Sequence, residues 1–225
     1  MKSLKSKLYE GFYQNASGMV RPTTKDELID EIQIRLDRKQ YNLNDIDTSK
    51  ITDMSDLFYD FKKYNLSNLD ISKWDVSNVK DMSMMFYGCV KFNSDLSKWN
   101  TSNVEDMYKM FTLCKNFNSD LSGWNVSRVK NMSNMFDGCV NFNSDLSGWN
   151  VSSVETMNRM FFGCKSFNSD LSRWNTSKVD NMIEMFRNCN KFDCDLSNWD
   201  TSNVDSMSNM FSRSGIKSLP KWYKK

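Results

Sequence analysis

The chain has 225 residues, with 30 basic against 28 acidic side chains and no histidine. Lack of histidine removes Ser-His-Asp and Cys-His nucleophile systems, imidazole bases, and His-ligated zinc or haem. A net charge of +2 supplies no broad field to gather phosphate or anionic lipid, so nucleic acid is not expected as a partner.

No stretch of about 18 apolar residues occurs, so membrane insertion is not expected. The opening MKSLKSKLYEGFYQNASGMV is basic but has no apolar run of the kind a secretory leader needs. As written this leaves a cytoplasmic protein or a chain trimmed of its leader. Residues 1 to 20 read as a loosely attached extension. From 24 to 39, Thr24 and Glu27 form a capping box, and Leu28, Ile29, Ile32 and Leu36 line one face. This helix is expected to lie across the first repeat as an N-terminal cap, so residues 1–45 are read as extension plus capping helix.

Residues 46–211 are organised by a repeat. Tryptophans stand at Trp74, Trp99, Trp124, Trp149, Trp174 and Trp199, each 25 residues from the last. Cysteines keep the same interval at Cys89, Cys114, Cys139, Cys164 and Cys189, with Cys194 extra. Aspartates do so at Asp70, Asp95, Asp120, Asp145, Asp170 and Asp195. Such a period marks a stack of like units that bury a core only together. Residues 46 to 58 form an earlier unit, separated from the next by 28 rather than 25 residues.

Within each unit Val79, Met82, Met85, Phe86 and Cys89 have the spacing of one helical stripe. Ser77 and its equivalents precede it as expected N-caps, and Gly88, Gly138, Gly163 and Asn188 follow as left-handed ends. The remaining FNSDLSxW is too short for a second helix, so DLS is expected to form a very short strand, stacked in parallel on its neighbours. The fold class is therefore α/β. Residues 212–225 depart from the pattern and read as a C-terminal cap, with Pro220 stopping further pairing.

The unit VxxMxxMFxxCxxFNSDLSxWN[TV]SN resembles the 25-residue variant of BspA-like leucine-rich-repeat proteins, found in mycoplasma and other bacterial surface proteins. The resemblance covers roughly residues 45 to 222. It implies a right-handed, leucine-rich-repeat-like solenoid, with display at the cell surface and a part in adhesion to a host or neighbouring cell.

Several rows admit a second meaning. The cysteines lack the close pairs that zinc sites use and read as small buried hydrophobes; a Cys189–Cys194 disulfide stays open at a spacing of five. The aspartates either accept from nearby backbone N–H and Ser groups or hold calcium between units. The tryptophans are either an exposed aromatic track for sugars or a packed wall, and a chain poor in leucine favours the wall.

Positions that differ between units bear on recognition. The residue before each Trp is Lys73, Lys98, Gly123, Gly148, Arg173 or Asn198, and a second variable set is Met84, Lys109, Asn134, Arg159 and Glu184. Such variation is either partner specificity or unconstrained surface. Lys73, Lys98, Arg173 and Asn198 are taken as the candidate binding residues. The expected function is a non-enzymatic, monomeric protein-interaction scaffold with no catalytic residue, metal or cofactor. The alternative is a carbohydrate or small-ligand binder using the Trp and Asp/Asn rows.

Overall fold

The computed structural model describes residues 19–224, so most of the expected N-terminal extension lies outside the described residues. Helix α1 spans Lys25–Asp37. Thr24 caps it: its side chain accepts from the Glu27 N–H while the Glu27 carboxylate accepts from the Thr24 N–H. Leu28, Ile32 and Leu36 are buried in the common core. Lys25 reaches Asp53 and Ser55, and Gln33 donates to the Tyr64 hydroxyl, so α1 is held against the first repeat unit.

The α/β architecture of short strands and short helices is not what forms. Among the described residues α1 is the one α-helix; two 3-10 helices, Asp60–Lys63 and Leu66–Asn68, lie within the longer first interval, and no strand exceeds an isolated bridge. Each unit is instead a coil of linked tight turns. Val79 donates to Val76, Met85 to Met82, Cys89 to Phe86, Phe92 to Cys89 and Trp99 to Leu96, each an i to i+3 turn. Because the closing residues of such turns recur every three positions, they all point inward, which produces the apolar spacing that also fits a helix.

Met84 decides between the two. Its φ is 56°, and the same position is left-handed in Lys109, Asn134, Arg159, Glu184 and Asn209. A left-handed residue two positions into Met82–Met85 is what a type II turn needs, and it breaks an α-helix. Gly88, Gly138, Gly163 and Asn188 are indeed left-handed, but as the third residues of further turns rather than helix ends. The serines are not N-caps either: Ser102 donates its own N–H to the Asn100 side chain, closing an Asx turn.

Coil joins coil through alternate amides. The N–H groups of Met82, Met84, Phe86 and Gly88 donate to the carbonyls of Asp106, Tyr108, Met110 and Thr112, at 3.0, 2.7, 2.9 and 2.8 Å. The parallel bridges between successive repeat units, from Asp53↔Asp81 through Asn181↔Ser206, fall in this segment; at the DLS position the described residues show one bridge, Asn42↔Asp70, at the entry to the stack. At DLS the side chains take over. The Leu96 N–H donates to Ser119 Oγ at 2.9 Å, and the Leu96 carbonyl accepts from Trp124 Nε1 at 2.9 Å, so no backbone ladder can form there.

The core is a pair of phenylalanine columns. Phe86, Phe111, Phe136, Phe161 and Phe186 stack with centroids 5.5 to 5.7 Å apart, and each meets a partner from the Phe92 column at about 4 Å. Pro220 does not end the pattern. Beyond it Trp222 stacks on Trp199 at 6.4 Å and donates to the Leu196 carbonyl, taking a seventh place in the Trp row from a spacing of 23.

Candidate binding surface

The buried rows form the frame. Trp74, Trp99, Trp124, Trp149, Trp174 and Trp199 are 3 to 4% exposed, and each indole N–H donates to a backbone carbonyl of the preceding coil. They make a packed wall, and a carbohydrate track of stacked tryptophans has no exposed platform there. The five periodic cysteines are buried, and each thiol donates to a Phe carbonyl one coil back; burial pushes Cys89 and Cys189 up to about 12. Cys189 and Cys194 are both free thiols, not a disulfide.

The aspartate row is held from within its own turns. Asp95, Asp120, Asp145 and Asp170 each accept the backbone N–H of the serine two residues on, at 2.9 Å, and this bond holds their carboxyls below the ordinary range. Asp195 is held likewise by Ser197, and Asp70 by Asn44 and Ser72. Among the described residues no three His, Cys, Asp or Glu side chains come together as metal ligands.

Lys73, Lys98, Arg173 and Asn198 are all exposed, each beside the aspartate of its own coil and above its buried Trp. Gly123 and Gly148 fill the middle of the column and leave Asp120 and Asp145 without a basic neighbour from that position. The structure thus gathers the four candidates into one column with a basic segment at either side of a bare centre.

A second column runs along the left-handed turn positions, and its partners were not singled out from the sequence. Arg159 bridges Asp137 and Glu184, Arg187 also pairs with Glu184, and the Arg159 guanidinium lies 3.8 Å over the Phe162 ring. Asp137, Phe162 and Arg187 occupy the position three residues after each variable left-handed residue. Their variation between units was visible, but only the turn geometry places them beside Arg159 and Glu184.

Residues 29–136 and 114–222 match the family model described as "Mycoplasma protein of unknown function, DUF285". The chain belongs to this family. The DUF285 match agrees with the repeat seen in the sequence, yet it does not single out the BspA-like surface proteins among repeats of this kind. No curated protein matches the chain. Among solved structures, one described as "Crystal structure of TLR13-ssRNA13 complex" aligns at 12% identity and a TM-score of 0.17, over 86% of this chain and 48% of that one. The chain spans about half the length of that protein, and a likeness at this score carries no argument about fold or ligand.

Proposed function

We propose that this DUF285 chain is a non-enzymatic scaffold that binds another protein through its exposed variable columns. One observation carries the proposal. The frame of Phe, Met, Cys and Trp is copied from coil to coil and buried, whereas the residue before each Trp is exposed in every coil and varies among Lys, Gly, Arg and Asn along the stack. A rigid frame with variable outward residues holds recognition groups at fixed spacing without an ordering cost at binding.

The enzyme class has little to work with. The aspartates are near copies of one another, each closing an Asx turn, and none is set apart as an acid or base. The finer reading, adhesion to a component of a host or neighbouring-cell surface, rests on the resemblance to BspA-like proteins. Its test is binding of the labelled chain to cells and to immobilised surface protein. A triple variant, Lys73→Glu, Lys98→Glu and Arg173→Glu, should weaken saturable binding about tenfold or more, equivalent to roughly 1.4 kcal/mol. Binding that is unchanged in this variant, and also in Lys109→Glu on the other column, would overturn the proposal.

A further inference from the structure

The last coil ends on an open row of donors. Inside the molecule the alternate amides of each coil meet carbonyls of the next, across six coil pairs from Asp53↔Asp81 to Asn181↔Ser206. In the final coil the corresponding N–H groups belong to Met207, Asn209, Phe211 and Arg213, and among the described residues they have no acceptor. The intervening amides of Met210, Ser212 and Ser214 are closed in local turns, donating to the carbonyls of Met207, Asn209 and Phe211. The Ser208 amide, whose interior counterparts Ser83 and Tyr108 donate within their own coil to Asp81 and Asp106, also has no acceptor among the described residues. Facing the open edge are four donors at two-residue intervals, the register in which a polypeptide adds itself to an edge.

A cavity lies beside this row. It measures about 510 Å³ and is lined in part by Phe211, Ile216, Leu219 and Tyr223. Leu219 is 41% exposed. Tyr223 stands edge-on to Phe211 at 5.0 Å, where an interior coil would lay a parallel ring. The aromatic core is therefore covered while the donor row is not. Arg213 lines it and is exposed, and among the described residues it forms no ion pair.

We propose that this end of the stack docks a polypeptide segment of another protein carrying the repeat's own pattern, N-M-x-x-M-F with an acidic residue after the Phe. Three observations select that occupant. The edge continues an interface that the M-x-x-M-F part of this pattern already fills six times, with its Asn present at Asn131 and Asn181 and its acidic residue at Asp137. The cavity accepts an apolar side chain beside Leu219. The unpaired Arg213 favours a segment with a carboxylate at its end. A second copy of this chain is a poor occupant, because its first coil is held by α1 through Lys25, Asp53 and Ser55. Two copies set end to end at this edge would oppose donors to donors.

The probe is a synthetic peptide with the sequence of residues 129–138, whose Asn131, Ser133, Met135 and Asp137 supply the carbonyls of this interface in the interior. Amide exchange of the full chain is followed by NMR with and without it. With the peptide at roughly ten times its Kd, exchange at Met207, Asn209, Phe211 and Arg213 should slow about tenfold, with Ser208 unchanged. Leu219→Asp, checked for an unchanged melt and Trp emission, should abolish this protection. Four outcomes overturn the proposal: no saturable binding, equal protection by a scrambled peptide, undiminished binding in Leu219→Asp, or concentration-dependent dimers that protect the same four amides without peptide.

Discussion

Ser119 Oγ stands 2.9 Å from the amide nitrogen of Leu96, one coil away, and does the work of a backbone carbonyl. Ser94, Ser144 and Ser169 hold Ile71, Leu121 and Leu146 in the same way. The row is buried, so removing one hydroxyl leaves an amide with no acceptor.

Ser119→Ala should therefore cost about 1–3 kcal/mol, the penalty for orphaning a buried donor. At about 2–4 °C per kcal/mol for a chain of this size, the melting temperature should fall by several degrees. Cys194 occupies the fifth place in the row, where its sulfur accepts from the Leu171 amide at 3.2 Å. A thiol sulfur is the weaker acceptor, so Cys194→Ser should raise stability by about 0.5–1 kcal/mol. Urea midpoints of the two variants check both signs; a neutral Ser119→Ala would refute the carbonyl role.

Leu113 is a second place where the repeat departs from its own best residue. It is left-handed, with φ 64°, in the slot that Gly88, Gly138 and Gly163 fill elsewhere, and it is 40% exposed. Leu113→Gly should stabilise by about 1 kcal/mol, since an L residue in this region costs about 1–2 kcal/mol. Gly138→Ala should destabilise twice over, through its own φ of 74° and through a Cβ 2.9 Å from Leu113 Cδ2. In the Leu113→Gly background only the backbone part should remain. A double-mutant cycle showing no coupling between the two would remove the steric argument.

The period, the inward residues and α1 with its cap could all be read from the sequence, because a strict interval implies stacked units and a capping box marks where a helix begins. The local structure of the repeat could not. Turns that close at i and i+3 place Val79, Met82, Met85, Phe86 and Cys89 inward just as a helix does, and periodicity cannot tell the two apart. The discriminating feature was the sign of φ at Met84, and neither Met nor its counterparts Lys109, Arg159 and Glu184 signal a left-handed residue. The predicted strand at DLS failed for a different reason. Backbone pairing was assumed where Ser119 and Trp124 satisfy Leu96 instead. Of the candidate surface, the exposure of Lys73, Lys98, Arg173 and Asn198 followed from their place outside the apolar pattern, whereas the Arg159–Glu184–Arg187 network depends on the turn geometry that brings successive coils together.

Asp106 and Asp120 should respond to pH in opposite senses. The Ser122 N–H lowers the folded pKa of Asp120, so its contribution is present above the unfolded value, about 3.9, and fades as the pH falls through the folded value. Asp106 is shifted upward, first by burial and then by Asp81, although the Tyr108 N–H opposes this. Its contribution is complete below about pH 3.9 and is lost as the pH rises through the raised value, so at pH 7 its charge works against folding. Asp106→Asn, which copies Asn131 and Asn181 of the same slot, should raise the melting temperature at pH 7, with the gain disappearing near pH 3. Asp120→Asn keeps the Asx acceptor but loses the charge that the Ser122 N–H favours, so it should lower the melting temperature slightly at pH 7 and have no effect near pH 3. Melts of both variants between pH 3 and 8 decide it; a gain for Asp106→Asn that persists unchanged at pH 3 contradicts the assignment.

The thiols should be silent in the folded protein despite their number. Cys114, Cys139 and Cys164 are pushed far above the ordinary thiol range by burial, and Cys194 is raised to about 11, mainly by burial. Its thiol also donates to Asp170, whose negative charge further opposes ionisation. At pH 8 a thiol with that pKa is ionised in about one molecule per thousand, and the thiolate is the reactive form. A disulfide reagent at pH 8 should find no fast equivalent. The first slow equivalent should belong to Cys194, which alone is not buried, and should vanish in Cys194→Ser. The other five should react together on unfolding, because each donates to a Phe carbonyl that only coil stacking brings within reach. A rapid burst of one or more equivalents from the native chain would show that the coils open locally and that the cysteine row is not sealed.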